Sequence, residues 1–280
     1  MKRIITLLAI VCLGMNGFAQ DSTTVKHDST TRPDNDTLRV GNIIIIRSGK
    51  DRNSGYYDTT EKRFKYNNQN IVTNWMILDI GINQVNDNTN YSQAIANGYL
   101  PAGANENWFD QRTLKSTNVN FWLFIQRLNM IKHVVNLKYG LGIELNNYKY
   151  TEPIRFQKTN QPLVIMENVE YKKNKLAADY ITVPLMLNFN FTPGSNTHGF
   201  GFSAGVSGGY LYSSRQKNVG DDIGKKKERD DFDLRKFKVA YIGEISLGPV
   251  RLYGSYATQS MFKNGLDQTP VSFGIRLSNW

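Results

Sequence analysis

The sequence predicts an all-β fold: an eight-stranded antiparallel up-and-down transmembrane β-barrel, preceded by an N-terminal disordered periplasmic tether. Period-two alternation of apolar and polar residues recurs eight times after about residue 71, and such alternation is typical of strands with one apolar face. Long and short connections alternate between these segments, which is the layout of outer-membrane barrels. After the first twenty residues no apolar run approaches the roughly 20 residues of a spanning helix.

Residues 1–19 have the layout of a secretory signal peptide, with a basic pair at positions 2–3, an apolar run over 4–14 and a cleavage point before Gln20. The run is too short to span a membrane as a helix. Cys12, the one cysteine of the chain, lies inside it. The mature protein therefore lacks disulfides and thiolate metal sites.

Residues 20–70 are predicted to be a low-complexity periplasmic tether, and residues 71–280 the outer-membrane barrel. The tether is rich in Asp, Ser, Thr, Asn and Lys, a composition that buries too little apolar surface to fold alone. Its apolar island Ile43-Ile44-Ile45-Ile46 leaves two alternatives open: a short strand that pairs with another segment, or a β-prone patch in a flexible region.

The third alternating segment is the clearest, because six apolar residues between Val135 and Leu145 alternate with polar or small ones. In the second segment we expect Val119, Phe121, Leu123 and Ile125 to share the apolar face. The predicted strands cover about residues 76–83, 118–126, 135–146, 181–191, 200–212, 237–247, 250–256 and 271–278.

The predicted connections place all long loops at one end of the barrel and all tight turns at the other. Links 84–117, 148–179 and 214–235 are long, 259–269 is intermediate, and 129–133, 192–199 and 248–249 are short. In outer-membrane barrels the short turns are periplasmic. Both chain termini are therefore expected in the periplasm.

Alternation alone does not distinguish a membrane barrel from a soluble one, because each has one polar and one apolar face. Here the polar face is rich in Gly, Ser and Asn, as over residues 201–209, and such residues weaken a solvated strand. They suit the narrow interior of an eight-stranded barrel. Buried charges need partners, so we predict a plug of internal ion pairs among Asp79, Lys138, Glu144, Lys238, Glu244, Arg251 and Arg276.

The sequence predicts no catalytic site, no cofactor and no metal site. Its three histidines, His27, His133 and His198, all fall on the predicted periplasmic side, so an outer-surface general base is missing. The acidic residues at 228–233 interleave with Lys and Arg, which indicates a solvated loop rather than a cation site. The formal charge of +10 comes without a nucleic-acid-binding module, so we expect contact with anionic lipid and no nucleic-acid partner.

Four short motifs bear on the family: WMILDIGIN at 75–83, YGLG at 139–142, YITVPL at 180–185 and, upstream, DTLRVGNIIII at 36–46. On these motifs, the chain from about residue 71 to 280 resembles the PorT-like outer-membrane β-barrel proteins of Gram-negative envelopes. The resemblance implies a place in the cell outer membrane and a role in protein secretion. Pro184 lies mid-strand, where it removes a ladder hydrogen bond, so we expect a bulge or a position near the rim.

We therefore predict a non-enzymatic outer-membrane barrel with a plugged lumen, in an envelope-structural or PorT-like secretion-accessory role. The alternative is a soluble secreted β-barrel that binds a small apolar ligand. The expected partners are outer-membrane lipid, the barrel assembly machinery, to which an aromatic terminal residue such as Trp280 is a signal, and a secretion or envelope protein.

Overall fold

The computed structural model describes residues 37–40, 43–46, 69–157, 161–192, 199–221, 224–248 and 250–278. The predicted signal peptide and most of the predicted tether lie outside these residues, and the domain boundaries stay predictions. The chain forms two compact units, Met1–Glu61 and Lys62–Trp280. In the described part, no helix combines the length and apolarity needed to cross a membrane.

In the first unit, strands β1 (Thr37–Val40) and β2 (Ile43–Ile46) pair antiparallel. Of the two alternatives for the isoleucine island, the structure thus has the paired strand. Four consecutive β-branched residues favour extended backbone, and Gly41-Asn42 is a dipeptide of turn-forming residues.

The second unit is built from long strands with short helices and hairpins between them. Helix α1 (Tyr91–Ala96) and two 3-10 helices, Glu106–Phe109 and Thr113–Lys115, lie in the first long connection. The strands are β3 (Ile71–Asp87), β4 (Thr117–Ile131), β5 (Val135–Tyr150), β6 (Ile154–Phe156), β7 (Val164–Met166), β8 (Lys173–Asn190), β9 (Phe200–Gly220), β10 (Gly224–Arg229), β11 (Phe237–Leu247), β12 (Val250–Ala257) and β13 (Gln268–Leu277).

Eight of these strands close into a ring, as predicted. Their order is β3-β4-β5-β8-β9-β11-β12-β13, β13 pairs with β3, and every pairing is antiparallel. Strand β10 pairs with the end of β9 outside the ring, so the sheet has nine strands. Strands β6 and β7 form a separate hairpin.

Several strands extend well into segments predicted as loops. Strand β9 continues to Gly220 and β8 begins at Lys173, inside the links predicted over 214–235 and 148–179. In these extensions the outward face is basic, so the apolar signal of the lipid-facing segments is lost. The strand geometry persists because each extension still has a neighbour to complete its ladder.

Pro184 lies neither at a bulge nor at the rim, which corrects our expectation. The register between β8 and β9 is unbroken at Pro184 and Ser207. Toward β5, the pairs Tyr139 with Leu185 and Gly142 with Thr182 keep one register, with no assigned pair between them. The sheet therefore accommodates the missing N–H of Pro184 by a local loss of backbone pairs between β8 and β5.

A bulge in β4 corrects the predicted faces of the second strand. The register against β5 shifts between Trp122 and Phe124, so the parity of the strand changes there. Ile125, expected on the apolar outer face, is fully buried and packs with Ile77 and Trp122. Arg127 then lies opposite Lys138, on the inward face.

Candidate functional site: the barrel interior and its cap

Outside the ring, the strands present apolar side chains such as Ile181, Val183, Leu185 and Phe273, each 44–52% exposed. The inward face is polar and almost fully buried. It includes Asn83, Asn118, Asn146, Ser207 and Ser272, together with the charged residues singled out from the sequence, of which six are buried and the seventh, Lys238, has a side chain 9% exposed. This distribution is the reverse of the apolar interior that the soluble-barrel alternative requires.

Arg276 on β13 is held by two carboxylates. Its Nε and Nη2 donate to Asp79 Oδ1 and Oδ2 at 2.7 and 2.8 Å, a bidentate geometry that strengthens the pair. Asp79 on β3 is the direct cross-strand partner of Arg276. The Arg276 Nη1 donates to Glu244 on β11, so one guanidinium joins two carboxylates.

Glu244 extends this chain across the interior. Its Oε1 accepts from Lys138 Nζ at 2.7 Å. Lys138 is on β5 and Glu244 on β11, and these strands are not neighbours in the ring. The chain Asp79, Arg276, Glu244, Lys138 therefore links opposite walls of the barrel through ion pairs whose side chains are at most 5% exposed.

A second crossing lies closer to the long-loop end. Lys238 on β11 donates to Glu144 on β5, and the Lys238 ammonium also lies 4.8 Å from the centroid of the Tyr180 ring. Glu144 accepts two further bonds, from Asn146 Nδ2 at 3.1 Å and Thr182 Oγ1 at 3.2 Å. The carboxylate is thus satisfied by several donors, as a buried charge requires.

Arg251, the seventh residue singled out from the sequence, lies beside Arg276 as its cross-strand partner. It is 8% exposed, and its Nη1 donates to Ser278 Oγ at 2.7 Å. The structure thus places all seven residues on the inward side and joins six of them in two sets of ion pairs. We call these seven residues the interior charges.

Sequence reasoning missed several side chains that hold the interior charges. Trp122 Nε1 donates to Asp79 Oδ2 at 2.7 Å, and the Trp122 ring lies 5.5 Å from the Arg276 guanidinium. Tyr253 donates to Asn118 Oδ1 at 2.6 Å. Trp122 has the parity of the inward-facing Asn118 and Asn120, but an aromatic residue in an alternating strand looks like a lipid-facing one.

Glycines opposite one another make room for these rings. Gly81 and Gly274 are cross-strand partners, and a Cβ on Gly81 would lie 2.5 Å from the Tyr253 hydroxyl and 2.3 Å from a backbone oxygen. The remaining cavity, lined by Asp79, Glu144, Glu244 and Arg276 among others, has a volume of about 30 Å³. A space of that size holds a few water molecules at most.

The long connections fold into a packed structure at one end of the barrel, which we call the cap: residues 88–116, 151–157, 161–172, 230–236 and 258–267. Its centre is Phe156, whose ring stacks on Phe262 at 5.7 Å and 12° and contacts Tyr150 and Phe232. Phe156, Phe232, Phe262 and Tyr150 are each 1% exposed. The sequence shows these aromatics only as isolated residues in polar segments.

Polar side chains of the wall fasten the cap. Gln216 Nε2 donates to the Ile154 carbonyl and to Asn174 Oδ1, and Gln216 Oε1 accepts from the Phe156 amide. Asn174 Nδ2 donates to the carbonyl oxygen of Ile154. Strand β6 is thereby attached to β8 and β9 by hydrogen bonds as well as by apolar packing.

Two further features bear on the chemistry expected from the sequence. In the described residues, no group of three or more His, Cys, Asp or Glu side chains is arranged to hold a metal ion. The acidic loop has structural partners: Asp231 pairs with Lys263 at 3.2 Å, and Asp233 accepts from the Asn264 backbone at 2.9 Å. His133 lies in the turn between β4 and β5, and the other two histidines lie outside the described residues.

Comparison with protein families decides where such a barrel belongs. Residues 78–258, well over half of the chain, match the family described as outer membrane protein beta-barrel domain. The chain belongs to this family. The match runs from β3 to just beyond β12, and it identifies an outer-membrane protein whose apolar outward face contacts lipid.

Other comparisons add little. No curated protein matches the sequence. Among solved structures, the chain is similar to Ail, the attachment invasion locus protein of Yersinia pestis, with 10% identity over 73% of this chain and 98% of that one. The TM-score is 0.29, too low for this similarity to support an argument.

Proposed function

We propose that the protein is a non-enzymatic outer-membrane barrel with a plugged lumen, which acts as an envelope-structural component or, as the PorT resemblance suggests, as an accessory of protein secretion. The main support for a plugged lumen is the chain of ion pairs from Asp79 through Arg276 and Glu244 to Lys138. It ties opposite walls together at the depth where a pore would have to be open.

Physical size supports the same conclusion. An eight-stranded ring encloses only enough space for side chains, and here the cavity between the interior charges is about 30 Å³. A solute would have to break pairs that are hidden from water, and breaking one buried pair costs about 3–5 kcal/mol. A polar interior of this kind closes the barrel rather than conducting ions.

The cap supports a role in contact with other proteins. Aromatic packing around Phe156 and the hydrogen bonds of Gln216 hold the long connections in one arrangement. A rigid cap suits the display of a fixed surface. We place the cap outside the cell and the short turns and both termini in the periplasm, the usual orientation of such barrels.

Single-channel recording of the full chain in planar bilayers tests the plug. The wild-type protein is expected to give no conductance steps, whereas the double variant Lys138→Ala, Arg276→Ala is expected to give fluctuating ones because both ion pairs of Glu244 are lost. Lys263→Ala, which removes an exposed pair, is the control. A fast-migrating band without boiling verifies folding. Steady ohmic steps from folded wild-type protein would overturn the plug.

Deletion of the gene in its own host separates the two roles. Loss of specific proteins from the culture medium, with unchanged sensitivity to detergent, would support the secretion-accessory role. Increased detergent sensitivity with normal secretion would support the envelope-structural role. Expression of the Lys263→Ala variant in the deletion strain is expected to restore the wild-type phenotype, which provides the control for expression.

A further inference from the structure

A row of four lysines crosses four adjacent strands beyond the lipid-facing part of the barrel. Lys149 on β5 is the cross-strand partner of Lys175 on β8, Lys175 of Lys217 on β9, and Lys217 of Lys227 on β10. Direct partners in a sheet lie on the same face. Like charges placed opposite one another destabilise a sheet, so this row weakens the fold unless something compensates for it.

More basic residues surround the row on the same face. Arg215 pairs in register with Arg229, and Lys173 and Lys225 both lie opposite Val219. We call the whole set the basic face: Lys149, Lys173, Lys175, Lys217, Lys225, Lys227, Arg215 and Arg229. In the described part of the chain, Arg215 is the member with an acidic partner, Asp179.

The mutual repulsion within the basic face is visible at two of its lysines. Partial burial, followed by the charges of Lys173 and Arg215, lowers the pKa of Lys175 to about 8. The pKa of Lys217 is lowered mainly by the charge of Lys225. A bound anion would reduce this repulsion between the positive charges.

The basic face continues the lipid-facing surface upward. On the outward side of β8, Val183 and Ile181 are exposed and apolar, and Lys175 follows six residues beyond Ile181. Six residues span roughly 20 Å along a strand, or about 15 Å along the membrane normal at the usual strand tilt. That distance is half the thickness of the hydrocarbon, so it brings the outward side chains from near the midplane to the head-group layer.

We propose that the basic face binds the phosphate groups of phosphorylated glycolipids in the leaflet that surrounds the cap end of the barrel. Guanidinium and ammonium groups are the usual ligands of phosphate, and a wall of four strands presents them in two dimensions, as a layer of head groups requires. The choice of leaflet rests on the proposed orientation, whereas the phosphate chemistry rests on the register of the four strands alone.

Lipid retention by the full chain in detergent micelles tests the proposal, with bisphosphorylated lipid A and its dephosphorylated form as probes. We expect the wild-type protein to retain the phosphorylated lipid about tenfold more than the dephosphorylated one. The triple variant Lys175→Gln, Lys217→Gln, Lys227→Gln is expected to lose this difference. The control Lys132→Gln, Lys226→Gln, Lys236→Gln removes the same charge outside the basic face, and is expected to retain it.

Two results would overturn the proposal. One is equal retention of both lipids by the wild-type protein. The other is tighter binding of soluble polyphosphate than of lipid, which would show that the face takes a free polyanion instead. The unboiled gel band verifies that each variant is folded. Channel conductance is measured separately. A barrel that conducts ions and still selects the phosphorylated lipid would refute the proposed plug without contradicting the proposed lipid binding.

Discussion

Along the same barrel strands, the polar and apolar faces exchange sides between one end and the other. In the lipid-facing part, β5 and β8 direct Ile143 and Ile181 outward and Glu144 and Thr182 inward. Beyond it, the same strands direct lysines outward and apolar side chains inward, among them Tyr148 and Leu176. The strand geometry is continuous, whereas the surroundings change from lipid to water. The solvent outside the wall therefore decides which face is polar.

This inversion assigns different tasks to charge at the two levels. Charges inside the lipid-facing part are hidden, come in both signs and pair across the barrel. Charges outside the upper part are accessible and mostly of one sign. Hidden pairs join the walls across the interior, and exposed like charges leave the outer surface able to bind an anion.

The largest expected effect comes from Glu244→Ala, which removes the acidic partner of both Lys138 and Arg276. Removing one partner of a buried ion pair costs about 3–5 kcal/mol. Here two such pairs are broken, and Arg276 keeps Asp79 as its remaining carboxylate partner. We expect the urea midpoint of unfolding in lipid vesicles, read from tryptophan fluorescence, to fall strongly. Asp221→Ala, which removes the exposed pair with Lys172, is the control and is expected to leave the midpoint nearly unchanged. Equal midpoints would refute the structural role of Glu244.

The second effect concerns the apolar inward face of the upper part. Phe156→Ala removes the ring that contacts Tyr150, Phe232 and Phe262, and such truncations cost about 3–5 kcal/mol. We expect the loss to be local: proteolysis of the cap accelerates, while the unboiled gel band of the barrel persists. Leu114→Ala, at a position 84% exposed, is the control. A cap as resistant as the wild type would mean that Phe156 is not its centre.

The third test places the same charge on the outward face at two levels. Val183→Arg puts a cation against lipid, where it costs about 2–4 kcal/mol near the midplane, whereas near the interface the cost falls to about 0–1 kcal/mol. Val219→Arg places the same charge on the outward face of the upper part, beside Lys173 and Lys225. We expect only the first variant to lower the urea midpoint clearly. Similar losses at both positions would show that the surroundings of the two levels do not differ.

Much of the ring could be predicted because lipid outside and a narrow polar space inside force a strict alternation. All eight ring strands and the inward position of the interior charges follow from that pattern. The β4 bulge could not be predicted, because one inserted residue changes parity without a signal in composition. For this reason Ile125 was assigned to the wrong face and Arg127 was missed.

The cap and strand extensions were missed for a different physical reason. Their inward residues contact one another across four connections distant in sequence, as Phe156 and Phe262 do, and no local period marks such contacts. Strand β10 carries Lys225, Lys226 and Lys227 in a run, which looks like a solvated loop. It is a strand because β9 offers an open edge beyond the ring.

The smallest effect is a pH dependence that arises in the basic face. The folded-state pKa of Lys175 is lowered to about 8 from an ordinary value of 10.5, so between these values the unfolded chain binds more protons than the folded one. Stability therefore rises with pH across this window. Half-exposure and screening reduce the effect to less than about 1 kcal/mol. We expect the proteolytic resistance of the cap region to increase from pH 8 to 10.

Lys175→Met is expected to flatten this dependence, because it removes the group that titrates and also relieves the repulsion from Lys217. Lys132→Met, in the turn at the opposite end of the barrel, is the matched control and should keep it. A profile that stays steep in Lys175→Met would assign the dependence to another group. A profile that flattens only when phosphorylated lipid is present would instead tie the basic face to its ligand, since a bound phosphate stabilises the protonated lysine and moves the window upward in pH.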